Sequence, residues 1–219
     1  MSRRRAVLAE MGLAPVWRLR KENAPQQDAV AQAQPALDWI PLKALVSGCT
    51  ACGLHKTRTQ TVFGVGDPDA DWMLIGEAPG AEEDRLGDPF VGQAGKLLDN
   101  MLAAIDLHRS RNVYIANVLK CRPPGNRNPE PEEVAKCSPH LLRQIELVKP
   151  RLIVAMGRFA AQTLLETGAS ISSLRGRVHR YAGVPLIVTY HPAYLLRTLE
   201  DKAKSWEDLV FAKKTMQTL

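Results

Sequence analysis

Four short apolar runs set the strongest limit on the fold: "WMLI" at 72–75, "VYIANV" at 113–118, "LIVAM" at 152–156 and "PLIVTY" at 185–190. Each is short, almost wholly apolar and without in-out alternation, as strands buried on both faces should be. Helical patterns lie around them. Leu97, Leu98, Met101, Leu102 and Ile105 recur at helical spacing and predict a helix over about 94–106. Pro131 suits the first turn of a helix running to about Val148, which Pro150 stops. Gly157 leads into a helix reaching about Thr167, and residues near 192–199 and 205–218 read as helical. Asp38 can cap a short helix through Val46. Strands separated by helices imply an α/β fold with a parallel sheet.

Such sheets bind ligands beyond the carboxyl ends of their strands. "GEAPG" follows the first strand, Asn117 ends the second, and "HPAYLLR" (191–197) follows the last. These segments should therefore meet on one edge. The first also carries Glu77, Glu82, Glu83 and Asp84, a run of acid in a chain of net charge +6. Much of the positive charge sits in residues 1–21, with six Arg/Lys against one acid. The rest is only mildly basic, so nucleic-acid binding would need a local patch rather than a strong global field.

Residues 1–36 read as a basic tail followed by an Ala/Gln/Pro linker, flexible, with residues 1–21 able to dock a protein partner; residues 37–219 form the folded domain. No apolar run of about 18 residues occurs, and the N-terminus is a poor secretory signal, so the expected location is intracellular.

Cys49 and Cys52 form C-x2-C, and Cys121 and Cys137 form C-x15-C. Four thiolates with one tight pair suit a tetrahedral metal or a [4Fe–4S] cluster, and spacing alone leaves zinc and iron–sulfur both open.

Together, "GEAPG…ED…DPFVG", "NVLKCRPP", "HPAYLLR" and the cysteine set resemble family 4 uracil-DNA glycosylases, the iron–sulfur type, across about residues 38–216. The resemblance implies a three-layer α/β/α sandwich with a four-stranded sheet, and a [4Fe–4S] cluster rather than zinc on Cys49, Cys52, Cys121 and Cys137. It implies a monofunctional enzyme of base excision repair. Such an enzyme flips uracil out of single- or double-stranded DNA and hydrolyses its N-glycosidic bond, leaving an abasic site. A monomer in the cytoplasm, associated with the nucleoid, is expected.

The resemblance also assigns residues. Phe90 matches the aromatic that stacks on uracil, and Asn117 the residue that reads it: its amide can accept from N3–H and donate to O4, the reverse of what cytosine offers. His191 matches the catalytic His, a donor toward uracil O2 as negative charge grows there. Leu195 is expected to fill the gap left by the flipped base and Arg197 to contact phosphate. Ala78 stands where related enzymes carry a water-activating Asp, and Gly80 where they carry a Tyr that blocks thymine. Glu83 is therefore expected to line the pocket and crowd C5, and Glu77 to shape the loop, with either able to orient water; a carboxylate there also favours cationic character on the sugar. Glu82 and Asp84 are read as solvated or capping acids. Two alternatives are a covalently capturing uracil-DNA binder and a non-catalytic binding module. The stretch 122–133 lacks the His that covalent capture would need.

Overall fold

The computed structural model describes residues 37–219 and the single residue Glu10. The expected tail and linker at 1–36 lie outside the described residues, Glu10 apart. The sheet contains β1 (Val65–Gly66), β2 (Trp72–Gly76), β3 (Val113–Asn117), β4 (Leu152–Met156), β5 (His179–Tyr181) and β6 (Val184–Thr189). Their order across the sheet is β1-β3-β2-β4-β6-β5. β3, β2, β4 and β6 are the four parallel strands expected from the apolar runs.

The count of four is corrected to six, because β1 and β5 add short antiparallel edges. β1 has only two residues, and β5 is a polar, partly exposed "HRY". Neither carries the signature of a buried strand. β5 returns into β6 through Ala182 and Gly183, both at positive φ (48° and 81°), as a two-residue hairpin loop requires.

Alternate residues of the parallel strands feed two separate cores. Met73, Ile75, Ala116, Ile153, Ala155 and Val188 pack on one face, against Leu141 and Ile145 of α4 (Pro131–Val148) and Ala160, Ala161 and Leu164 of α5 (Arg158–Leu164). Trp72, Leu74, Ile115, Val154 and Ile187 pack on the other, against Leu98 and Leu102 of α3 (Gln93–Ala103) and Leu209 and Ala212 of α8 (Asp201–Met216). Helices on both faces of the sheet give the three-layer α/β/α architecture.

The helix boundaries follow local chemistry. Asp38 accepts from the Trp39 amide at 2.7 Å and caps α1 (Trp39–Ser47). Glu130 and Glu133 form a reciprocal capping box at the start of α4, with Pro131 in the first turn. α8 begins four residues before the expected 205, because its first turn buries only Asp201 and presents Lys202 and Lys204 to solvent. The remaining helices are α2 (Ala81–Leu86), α6 (Ile171–Leu174) and α7 (Pro192–Leu195).

Candidate active site

β2 and β3 run in register to Gly76 opposite Asn117, and β4 ends with Met156 opposite Thr189 of β6. The chain leaves β2 for β3 on one side and returns to β4 on the other, which creates a crevice at the carboxyl ends. A cavity of about 660 Å³ opens there, within the range of small-ligand sites. Glu77, Ala78, Gly80, Glu83, Phe90, Asn117, His191 and Arg197 all line it. Segments separated by more than a hundred residues are thus brought to one site.

Phe90 is held in a left-handed conformation (φ 55°) and is 5% exposed. Its carbonyl accepts from Arg109 Nη2 at 2.9 Å, and Arg109 is itself fixed by Asp99 at 2.6 Å. The ring lies 5.4 Å from the His191 ring, tilted by 30°. A side chain at Gly76 would collide with Asn117 Oδ1 and would meet Phe90 Cζ at 2.7 Å. That glycine is what lets the asparagine and the aromatic ring share a wall.

Asn117 is 2% exposed, and its Oδ1 is buried with no hydrogen-bond partner among the described residues. An unpartnered acceptor on a cavity wall is available to a ligand N–H. The backbone around it is firmly tied. Val118 donates to the Gly76 carbonyl at 3.0 Å and Leu119 to the Glu77 carbonyl at 3.1 Å, extending the strand pairing past its formal end.

His191 caps α7: its Nδ1 accepts from the Ala193 amide at 3.1 Å. In the neutral ring the proton therefore resides on Nε2, which is left to donate. Burial pushes its pKa down to about 4, and the charge of Arg197 acts in the same direction. The ring is neutral near pH 7. Gly157 (φ 91°) packs against it, since a Cβ there would lie 2.8 Å from that of His191.

The four acids of the loop divide by environment. Burial raises the Glu77 carboxyl, opposed by the nearby Arg158. Glu83 Oε1 accepts from the Val91 amide at 3.3 Å, which ties the start of α2 to the Phe90 turn. Glu82 is exposed and paired with Arg85 at 2.7 Å. Asp84 is 4% exposed and accepts the Thr59 amide on both oxygens, at 2.9 and 3.1 Å. It fastens the 59 loop to α2, a structural role in place of the expected solvated or capping one.

A second cavity is lined by all four cysteines together with Arg58, Lys120, Lys136 and His140. The thiols are free of disulfides. Arg58 Nη1 donates to Cys121 Sγ at 3.0 Å and the Lys120 amide to Cys137 Sγ at 3.2 Å. Burial raises the Cys137 thiol to about 11 and lifts that of Cys121 as well. Among the described residues, no three His, Cys, Asp or Glu side chains are grouped to hold a single metal ion.

Residues 63–210 match the uracil DNA glycosylase superfamily. This chain belongs to that superfamily. Within it the chain is similar to type-4 uracil-DNA glycosylases. It is 50% identical over 159 residues to that of Archaeoglobus fulgidus, covering 69% of this chain and 79% of the relative. It is 45% identical over 172 residues to that of Thermotoga maritima, covering 77% and 89%. It is 42% identical over 181 residues to that of Pyrobaculum aerophilum, covering 79% and 92%. It is a glycosylase of the type-4 branch.

One assignment within this glycosylase is corrected. Leu195 is 1% exposed and sits in the core with Phe90 and Tyr190, so it is not placed to enter DNA. α7 is a single turn, and it directs Leu195 inward while leaving Leu196 42% exposed. Arg197 is exposed at the cavity, as a phosphate contact needs. Sequence reasoning missed Arg158, Phe159 and Tyr190, which also line the glycosylase cavity. Arg158 and Phe159 follow Gly157 directly, and a glycine between a strand end and a helix was their available signal. Among the described residues, no helix is long and apolar enough to cross a membrane.

Proposed function

We infer that this protein removes uracil from DNA as a monofunctional glycosylase of base excision repair and leaves an abasic site. The observation that carries the site assignment is the unpartnered, buried Oδ1 of Asn117 beside the Phe90 ring and a neutral His191. A uracil laid on Phe90 would donate N3–H to Oδ1 and accept at O4 from the amide nitrogen. Cytosine would leave both groups mismatched, at about 1–3 kcal/mol for each. As the C1′–N1 bond breaks, its electron pair leaves with the base. Negative charge then grows on O2, where His191 Nε2–H donates. Water adds to C1′, and its proton passes through solvent to the departing uracil anion, leaving neutral uracil and the abasic sugar. Glu77, near the cationic sugar, favours that charge and orients the water. Glu83 and the Gly80 turn close the C5 side against thymine. Among the described residues, none that lines the cavity is a lysine, which supports hydrolysis over a lyase step. Leu196, not Leu195, is the apolar side chain able to fill the vacated stack, and Arg197 holds phosphate.

The four cysteines are the proposed ligands of a [4Fe–4S] cluster. All four line one cavity, and two N–H donors aim at their sulfurs, as is common at iron–sulfur sites. Bound there, the cluster supplies a structural staple. The enzyme is proposed to act as a monomer inside the cell.

The test is release of uracil from a uracil-containing oligonucleotide, alone and paired. His191→Ala should slow release about 10²–10³-fold with DNA binding retained, the scale of a lost oxyanion donor. Asn117→Ala should lose uracil selectivity. Release at the wild-type rate by His191→Ala would refute the assignment.

A further inference from the structure

Lys120 is a buried cation that the cleavage chemistry does not use. It is 1% exposed and the largest of the fully buried side chains. It stands between the two sites. Its Nζ donates to the main-chain carbonyl of Asn117 at 2.8 Å, and its own amide donates to Cys137 Sγ at 3.2 Å. The next residue is Cys121, and its side chain faces the cysteine cavity. No carboxylate pairs with it among the described residues. A buried ammonium needs a compensating anion. The groups able to supply one are the cysteines, once they are ligating thiolates.

We propose that Lys120 is a positioning residue that couples the cysteine-bound cluster to the base-reading asparagine. Its ammonium is held by the negative charge of the thiolate-ligated group and in turn holds the Asn117 carbonyl. That hold fixes the Asn117 main chain, from which the side-chain amide is presented to the cavity with no protein hydrogen bond of its own among the described residues. An asparagine whose Oδ1 must stay unpaired for its ligand cannot be held through that atom. It can be pinned through its backbone, and the carbonyl clamp from Lys120 adds to the flanking Val118 and Leu119 ladder. The cluster then has a function in a reaction that transfers no electrons.

This inference rests on the reading of Asn117 as the uracil contact, and the experiment separates the two. The holoenzyme is titrated with free uracil, by calorimetry and by the visible circular dichroism of the iron–sulfur chromophore. In the wild type the chromophore signal should change with the calorimetric midpoint, because coupling between two sites is reciprocal. Lys120→Met, loaded to the wild-type iron content, should bind uracil about tenfold more weakly, the scale of a hydrogen bond to a charged group. Its chromophore should stay silent as uracil binds. A silent chromophore in saturated wild type overturns the proposal, whatever the variant does. So does a loaded Lys120→Met with unchanged uracil affinity. Failure of wild type to bind uracil at all would instead strike the Asn117 assignment.

Discussion

His191 combines two properties that oppose each other in solution: it must donate a hydrogen bond and yet remain uncharged. The structure meets both by capping Nδ1 with the Ala193 amide and burying the ring. This has a consequence for stability. The unfolded chain takes up a proton on this histidine near pH 6.5, whereas the folded ring stays neutral down to about pH 4. In that window the unfolded state binds more protons, so stability rises with pH. The contribution is fully present above pH 6.5 and is lost as pH falls through 4. Because one edge of the ring is open to the cavity, the expected size is on the order of 1 kcal/mol. Denaturant midpoints at pH 7 and 4.5 should diverge more in wild type than in His191→Asn. Equal divergence would show that the ring titrates normally. None of this was legible in the sequence, which marks the position of His191 but not the amide that selects its tautomer. The acids of the loop make the same point. Glu82 and Asp84 are neighbours of one chemical type, yet the partner that separates them, the Thr59 amide, lies 25 residues away from Asp84.

At the scale of elements, the parallel strands were readable because double-sided burial writes itself as an unbroken apolar run. The edges β1 and β5 were not, being too short or too polar to leave one. Leu195 shows a different limit: in "LL" the inward residue depends on the phase of a one-turn helix, which four residues cannot display. The docking of α8 depends on a contact that was equally hidden. Asp208 of α8 is 2% exposed and meets Arg175 Nε at 2.6 Å. The same guanidinium caps the Lys204 carbonyl and lies 5.0 Å from the centre of the Tyr190 ring. Tyr190 stacks in turn on Tyr194 of α7, at 5.3 Å. The ion pair thus adds to two direct bonds, Tyr194 to Asp201 and Thr189 with Ser205, in fastening α8 to the segment that carries His191. Asp208→Ala leaves a largely buried guanidinium without its carboxylate, and should destabilise the fold by about 3 kcal/mol. A lowered denaturant midpoint with unchanged m-value is the expected result. A shift below about 0.5 kcal/mol would mean that Glu207 and solvent replace Asp208.

For the whole molecule the question is how a modestly charged domain finds a polyanion. Six of the basic residues lie in the first 21 positions, and the remainder is nearly balanced. Attraction to DNA by the described domain must come from where its arginines stand. Arg158 and Arg197 are exposed on the cavity wall, and neither has a carboxylate partner within the ion pairs of the described residues. Arg127 lines the same cavity but is held by Glu133 at 2.6 Å and Glu130 at 3.2 Å. Two arginines of equal formal charge thus differ from the third in what they offer a phosphate. Each phosphate neutralised lowers the slope of log K against log salt by about 0.9 on duplex DNA. Arg158→Gln and Arg197→Gln should each make that slope shallower by about one, and weaken uracil-containing and undamaged duplexes alike. Arg127→Gln should change it far less, because its charge is already met by protein. Slopes measured between 50 and 200 mM salt decide the matter. If all three variants kept the wild-type slope, the duplex would not approach along this wall. The uracil would then have to reach Asn117 from a strand bound elsewhere on the protein.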